Sequence, residues 1–175
     1  MPPRQHPRQN VYRNHQVVSK PDSVAFNKIV IHNTTLQLFI KLADKSFPKE
    51  WGVALFGNIK QNVIYIYATQ DLDIYKSTPC TLAYGILEQD DIIPYTYLGI
   101  LHSHPRGGYD LSEADKMILL NSIQNSTYTL DTDEVILERD HIMGVLAIFK
   151  NKSTLQWKCA FYDTEYHEIP LFISQ

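Results

Sequence analysis

His102 and His104 stand one residue apart; seven residues separate His104 from Ser112, and Asp115 lies three beyond Ser112. The first histidine closes an apolar run, Tyr97 to His102, that reads as a buried strand, and the second follows two residues on. On a strand, residues i and i+2 point to the same face. Two imidazoles can therefore be offered to one metal ion. The chain then turns through Pro105 to Asp110 and enters a helix over Ser112 to Gln124, whose first turn holds Asp115. A carboxylate returned there can supply a third ligand. Two histidines and one carboxylate leave a fourth position for water, the composition of a catalytic zinc site rather than a closed structural one. Zinc lowers the pKa of such a water toward about 7 and makes hydroxide available at neutral pH. Ser112-x-x-Asp115 also has the form of a helix capping box, in which serine caps the first turn and the acid reaches back. The two readings are compatible, because Ser112 can begin the helix and still lie beside a metal.

The elements that must position these residues follow from hydropathy spacing. Phe26 to His32 is a short strand, and Asn33, Thr34 and Thr35 are cap-like. Leu36, Phe39, Ile40 and Ala43 then repeat at helical spacing, and Pro48 ends or follows that helix. Gly52 to Gly57 and Val63 to Ala68 read as two strands of a hairpin joined across 58–62. Thr81 to Tyr84 is a further short strand, and 85–91 is ambiguous, with the look of a helical turn. The helix after Ser112 offers Ala114, Met117, Ile118 and Leu120 for packing. Residues 126–141 form a polar, acidic insertion. Met143 to Phe149, Gln156 to Tyr162 and Ile169 to Ile173 are the closing strands. Strands and helices intermix without an internal repeat, so the class is α/β or α+β, and pattern alone does not choose.

Composition narrows the function classes. A chain of 175 residues is one domain able to bury a core. Its 44% hydrophobic content, with 11 Tyr and 7 Phe, argues against disorder. Residues 1–22 carry Arg4, Arg8, Arg13 and Lys20 against Asp22 alone, a charge of +3; since the whole is −3, the remainder carries −6. The first 22 residues read as a flexible basic tail and 23–175 as a single domain. An acidic body argues against a nucleic-acid partner. The longest apolar run, Ile142 to Phe149, is too short to span a bilayer, and the first residues lack a signal-like apolar stretch. Two cysteines, Cys80 and Cys159, cannot build a disulfide scaffold or a four-cysteine zinc site. They fit a reducing, cytoplasmic setting and are expected to be buried small hydrophobes. Neither adjoins a histidine or a helix start, which disfavours a cysteine protease.

His-x-His-Pro, the seven-residue spacing and Ser-x-x-Asp together resemble the signature of the JAMM/MPN (JAB1/MPN/Mov34) zinc metalloproteases. The family also needs an upstream glutamate at a strand start, followed by glycines. Glu50-Trp51-Gly52-Val53-Ala54-Leu55-Phe56-Gly57 fits at Glu50 and Gly57, while the first glycine lies two residues after the glutamate instead of the usual three. The similarity runs from about Phe26 to Ile173. It implies the α/β MPN fold, a mixed curved β-sheet packed by helices with a cytidine-deaminase-like architecture. It implies that His102, His104 and Asp115 bind one catalytic zinc ion, that Ser112 helps stabilise the tetrahedral intermediate, and that Glu50 is the proton acceptor. It further implies hydrolysis after the C-terminal glycine of ubiquitin or a ubiquitin-like protein, with an activating protein partner in some members.

Family enzymes choose substrate through two insertions beside the groove, and residues 126–141 fall where the second would lie. Asp131, Asp133, Glu134, Glu138 and Asp140 there face only Arg139, a charge suited to steering a basic modifier tail. A plain solvated loop is the alternative. Other readings of the resemblance are processing of a ubiquitin-like sulfur-carrier protein and a non-catalytic MPN scaffold in a larger complex. Scaffold members have usually lost motif residues, whereas this chain keeps all five. A zinc nucleoside deaminase would need a Cys-x-x-Cys pair, which is missing here.

Overall fold

The computed structural model describes residues 25–85, 94–124, 128–131, 134–137, 141–151 and 154–175. The basic tail 1–22, most of the ambiguous 85–91 stretch and parts of the acidic insertion lie outside them. The elements run β1 (Lys28–His32), α1 (Asn33–Ser46), β2 (Gly52–Lys60), β3 (Val63–Asp71), β4 (Asp73–Thr78), β5 (Thr81–Gly85) and β6 (Thr96–His104). They continue with α2 (Glu113–Gln124), β7 (Tyr128–Asp131), β8 (Glu134–Leu137), β9 (Ile142–Asn151), β10 (Thr154–Asp163), β11 (Glu168–Ile169) and β12 (Leu171–Ser174).

Eight strands form one sheet in the order β11-β10-β9-β6-β2-β3-β1-β12. β6 pairs parallel with β9, and β1 parallel with both β3 and β12, while β2 runs antiparallel to β3 and β6. The sheet is therefore mixed, and the class is α/β. Its two faces carry two separate apolar clusters. α1 covers one through Leu36, Phe39, Ile40 and Ala43, the four residues whose spacing marked the helix. Burying each of the three larger side chains contributes about 1.5–3 kcal/mol. The other face packs Ala54, Phe56, Ile100, Met143 and Val145 against Leu119 of α2.

A bulge decides which face receives the histidines. Leu98 and Leu101 both belong to the α1 side, although three residues apart they should alternate. Gly99 has φ +142°, and a Cβ there would lie 1.9 Å from the Ile142 carbonyl oxygen, so only glycine fits. Opposite it, β2 passes from the Leu55↔Gly99 pair to Phe56↔Tyr97, skipping Leu98. Beyond the bulge Ile100, His102 and His104 share the α2 face.

Four expectations need correction. The cap of α1 is His32, whose ring nitrogen accepts the Thr34 N–H at 3.3 Å; the run of Asn33, Thr34 and Thr35 already lies inside the helix. The 58–62 turn shortens to Gln61 and Asn62, both with positive φ. In α2 the packed stripe is Leu119 with Asp115, following Leu111 at four-residue steps. Ala114 and Met117 are exposed, because a carboxylate occupies the core-facing position that an apolar residue would normally mark. Cys159 is buried as expected, its thiol pushed up to about 12 by burial, but Cys80 is exposed, on the β4–β5 turn. The strand β4 was not anticipated from its sequence. Within 126–141, β7 and β8 pair antiparallel rather than leaving an open loop. Among the described residues no helix is long and apolar enough to cross a membrane.

Candidate metal centre

His102 and His104 end β6, and Asp115 stands in the first turn of α2 behind them. The Nε2 atoms of the two histidines lie 2.9 Å apart. Asp115 Oδ1 is 3.1 Å from His102 Nε2, and Oδ2 is 3.4 Å from His104 Nε2. The edge of a tetrahedron of zinc ligands at ordinary bond lengths is about 3.3 Å. Two nitrogens and one oxygen thus converge at the separations one ion would impose. They are the group of metal-competent side chains found among the described residues.

The backbone and the second ring nitrogen prepare these donors. His104 Nδ1 donates to the Gly108 carbonyl at 3.0 Å, which turns Nε2 toward Asp115, where it donates to the carboxylate when protonated and can ligate a metal when it is not. His102 Nδ1 is buried without a hydrogen-bond partner. The capping box is fully formed: Asp115 N–H donates to Ser112 Oγ at 3.2 Å, and Ser112 N–H donates to Asp115 Oδ2 at 2.8 Å. Ser112 Oγ also donates to Oδ2, at 2.6 Å. One device starts α2 and fixes the carboxylate rotamer, leaving Oδ1 toward His102. In this arrangement the Ser112 hydroxyl is committed to Asp115.

Glu50 precedes β2 and is half-buried. Its N–H donates to the Thr78 carbonyl at 2.9 Å, and its own carbonyl accepts from Ser77 Oγ at 2.5 Å. The end of β4 therefore clamps the Glu50 backbone on both sides. Ser103, facing away between the two histidines, completes the frame: Trp51 N–H donates to its Oγ at 2.8 Å, and its N–H donates to the Trp51 carbonyl at 2.7 Å. Glu50, His102, His104, Ser112 and Asp115 all line one cleft of about 340 Å³, walled by the β4–β5 turn and by Ala114 and Ile118 of α2. The five residues singled out in the sequence are thus brought together, and Ala114 and Ile118 prove to be cleft wall.

The two carboxyls are driven apart electrostatically. Burial disfavours the Asp115 charge, but hydrogen bonds from His102, His104 and Ser112 outweigh it and hold the group well below the usual carboxylate range. Burial raises Glu50 above its ordinary 4.5; His102 and His104 offset this in part, and the Asp115 charge reinforces it. Burial lowers His104, yet its bonds to Asp115 and Gly108 raise it on balance. Asp115 is thereby suited to remain an anionic ligand, and Glu50 to accept and return a proton.

Sequence reading missed Ser77, Thr78 and Ser103 as supports. Ser103 carried a signal, since alternation turns it to the face opposite the two histidines. Ser77 carried none, because Asp73–Thr78 lacks an apolar alternation.

No protein-family model and no curated protein matches the chain. Among solved structures, a JAB1/MPN domain protein from Archaeoglobus fulgidus aligns with TM-score 0.46 and 18% identity over 85% of this chain and 99% of that one. A structure described as a JAMM metalloprotease-like zinc site in the proteasome and signalosome gives TM-score 0.44 and 18% identity over 86% of this chain and 100% of that one. A Desulfitobacterium hafniense protein solved in solution gives 0.49 and 15% over 84% and 93%.

Proposed function

We propose that the chain is a zinc-dependent peptidase or isopeptidase that cleaves after the C-terminal glycine of ubiquitin or a ubiquitin-like modifier. The observation that carries the reading is the convergence of His102, His104 and Asp115 with the raised Glu50 carboxyl in one cleft. Zinc, when bound, supplies Lewis-acid polarisation of a carbonyl and activation of water near neutral pH. His102, His104 and Asp115 would hold it. Glu50 takes the proton of the attacking water on its carboxylate and delivers it to the departing amine. Ser112 orients Asp115 in the resting chain; with substrate bound, its hydroxyl turns to donate toward the oxygen on which charge develops. On this reading the cleft takes the extended diglycine end of the modifier. The acidic 126–141 segment steers the basic residues that precede it.

The test is incubation of zinc-loaded protein with a panel of diglycine-ended modifier fusions, scored by intact mass with a chelator control. Scission after the second glycine, abolished by chelator, is expected. Zinc-loaded protein that leaves every fusion intact would remove the isopeptidase reading.

A further inference from the structure

His104 faces Asp115 through Nε2, and the hydrogen bond that holds its other nitrogen, Nδ1, goes to the Gly108 carbonyl, which sits in the 105–112 loop between β6 and α2. Something must hold the loop, and two side chains of β10 reach it. Tyr162 is buried, and its hydroxyl donates to the carbonyl of Tyr109 at 2.9 Å. Burial pushes that phenol up to about 12, so it remains a proton donor across the working range. Lys158 Nζ lies 3.0 Å from the centre of the Tyr109 ring. The sheet register explains the reach. Lys158 pairs with Ala147, which pairs with His104, so the lysine stands in the same cross-strand row as the metal ligand. Tyr162 pairs with Met143, which pairs with Ile100, two rows set back on the same face. The loop crosses this face, gripped at the ring and at the backbone of the residue that follows Gly108.

We infer that Lys158 and Tyr162 are positioning residues for the metal centre: by fixing Tyr109 they hold the Gly108 carbonyl where it orients His104. This rests on the metal-centre reading above, and goes beyond it by assigning part of the metal affinity to a strand that supplies no ligand. Losing the direct hydrogen-bond partner of a ligating histidine typically weakens metal binding by about 10–100-fold. A support one step further out is expected to give less, about 5–10-fold.

The test uses the full chain, stripped of metal and titrated with zinc against a chromogenic chelator. The visible spectrum of the cobalt-substituted protein is recorded in parallel. Tyr162→Phe keeps the buried ring and removes only the hydroxyl. Lys158→Met removes the cation from an exposed position, so folding is not at stake, and Lys158→Arg restores it over the ring. The expected result is zinc affinity lowered about 5–10-fold in Tyr162→Phe and Lys158→Met, with an altered cobalt spectrum, and recovery in Lys158→Arg. Wild-type affinity and spectrum in both of the first two variants would overturn the inference and leave the metal centre standing. A wild-type chain that binds neither metal would overturn both.

Discussion

Replacing Glu50 with Gln separates metal binding from proton transfer. The amide has the shape of the acid, and the backbone at position 50 is held by Thr78 and Ser77 independently of the side chain. Glu50 is not among the three converging ligands, so zinc stoichiometry is expected to stay the same and affinity to change by less than about 3-fold. What disappears is the acceptor of the proton. General acid–base catalysis contributes about 10²–10⁴-fold. At about 1.36 kcal/mol per tenfold, the barrier should rise by roughly 2.7–5.4 kcal/mol. The assay is kcat for a diglycine-ended fusion, with zinc content measured on the same samples. The substitution also carries a stability signature. Because burial raises the folded-state pKa of Glu50, its contribution to stability is present below 4.5 and is lost as pH rises through the folded value. Metal-free Glu50→Gln should therefore match the wild type in acid and melt higher at neutral pH. Turnover within threefold of wild type at equal zinc content would refute the assignment of the proton to Glu50.

Ser77→Ala removes the hydroxyl that holds the Glu50 carbonyl, and should lower kcat about 3–10-fold while leaving KM and zinc affinity near their wild-type values, as steady-state kinetics and metal titration can check. Ser112→Ala removes the α2 cap and one hydrogen bond to Asp115, so urea unfolding should show a loss of about 1 kcal/mol, alongside reduced cleavage. Exchanging Asp131, Asp133, Glu134, Glu138 and Asp140 for their amides should flatten the salt dependence of kcat/KM; an unchanged dependence would remove the steering role.

Much of the site was legible because its chemistry sits in short spacings. His102-x-His104 and Ser112-x-x-Asp115 each encode local geometry, a strand face and a first helical turn, and both geometries are present. The apolar repeat of α1 was legible for the same reason. Errors arose where function displaced pattern. Asp115 occupies the packed stripe of α2, which made Ala114 and Met117 look like core. They arose also where local signals are weak: β4 has no alternation, and the face choice of His102 depends on a bulge at Gly99 that only pairing with β2 and β9 reveals. Contacts such as Tyr162 to Tyr109 join residues 53 positions apart, and no local pattern encodes them.

Native mass spectrometry of the zinc-reconstituted chain, beside a His102→Ala, His104→Ala double variant, tests the central claim most directly. One zinc ion bound to the wild type and none to the variant at the same free zinc concentration is the predicted result. A wild type without zinc, or a variant that retains a full equivalent, would contradict the account.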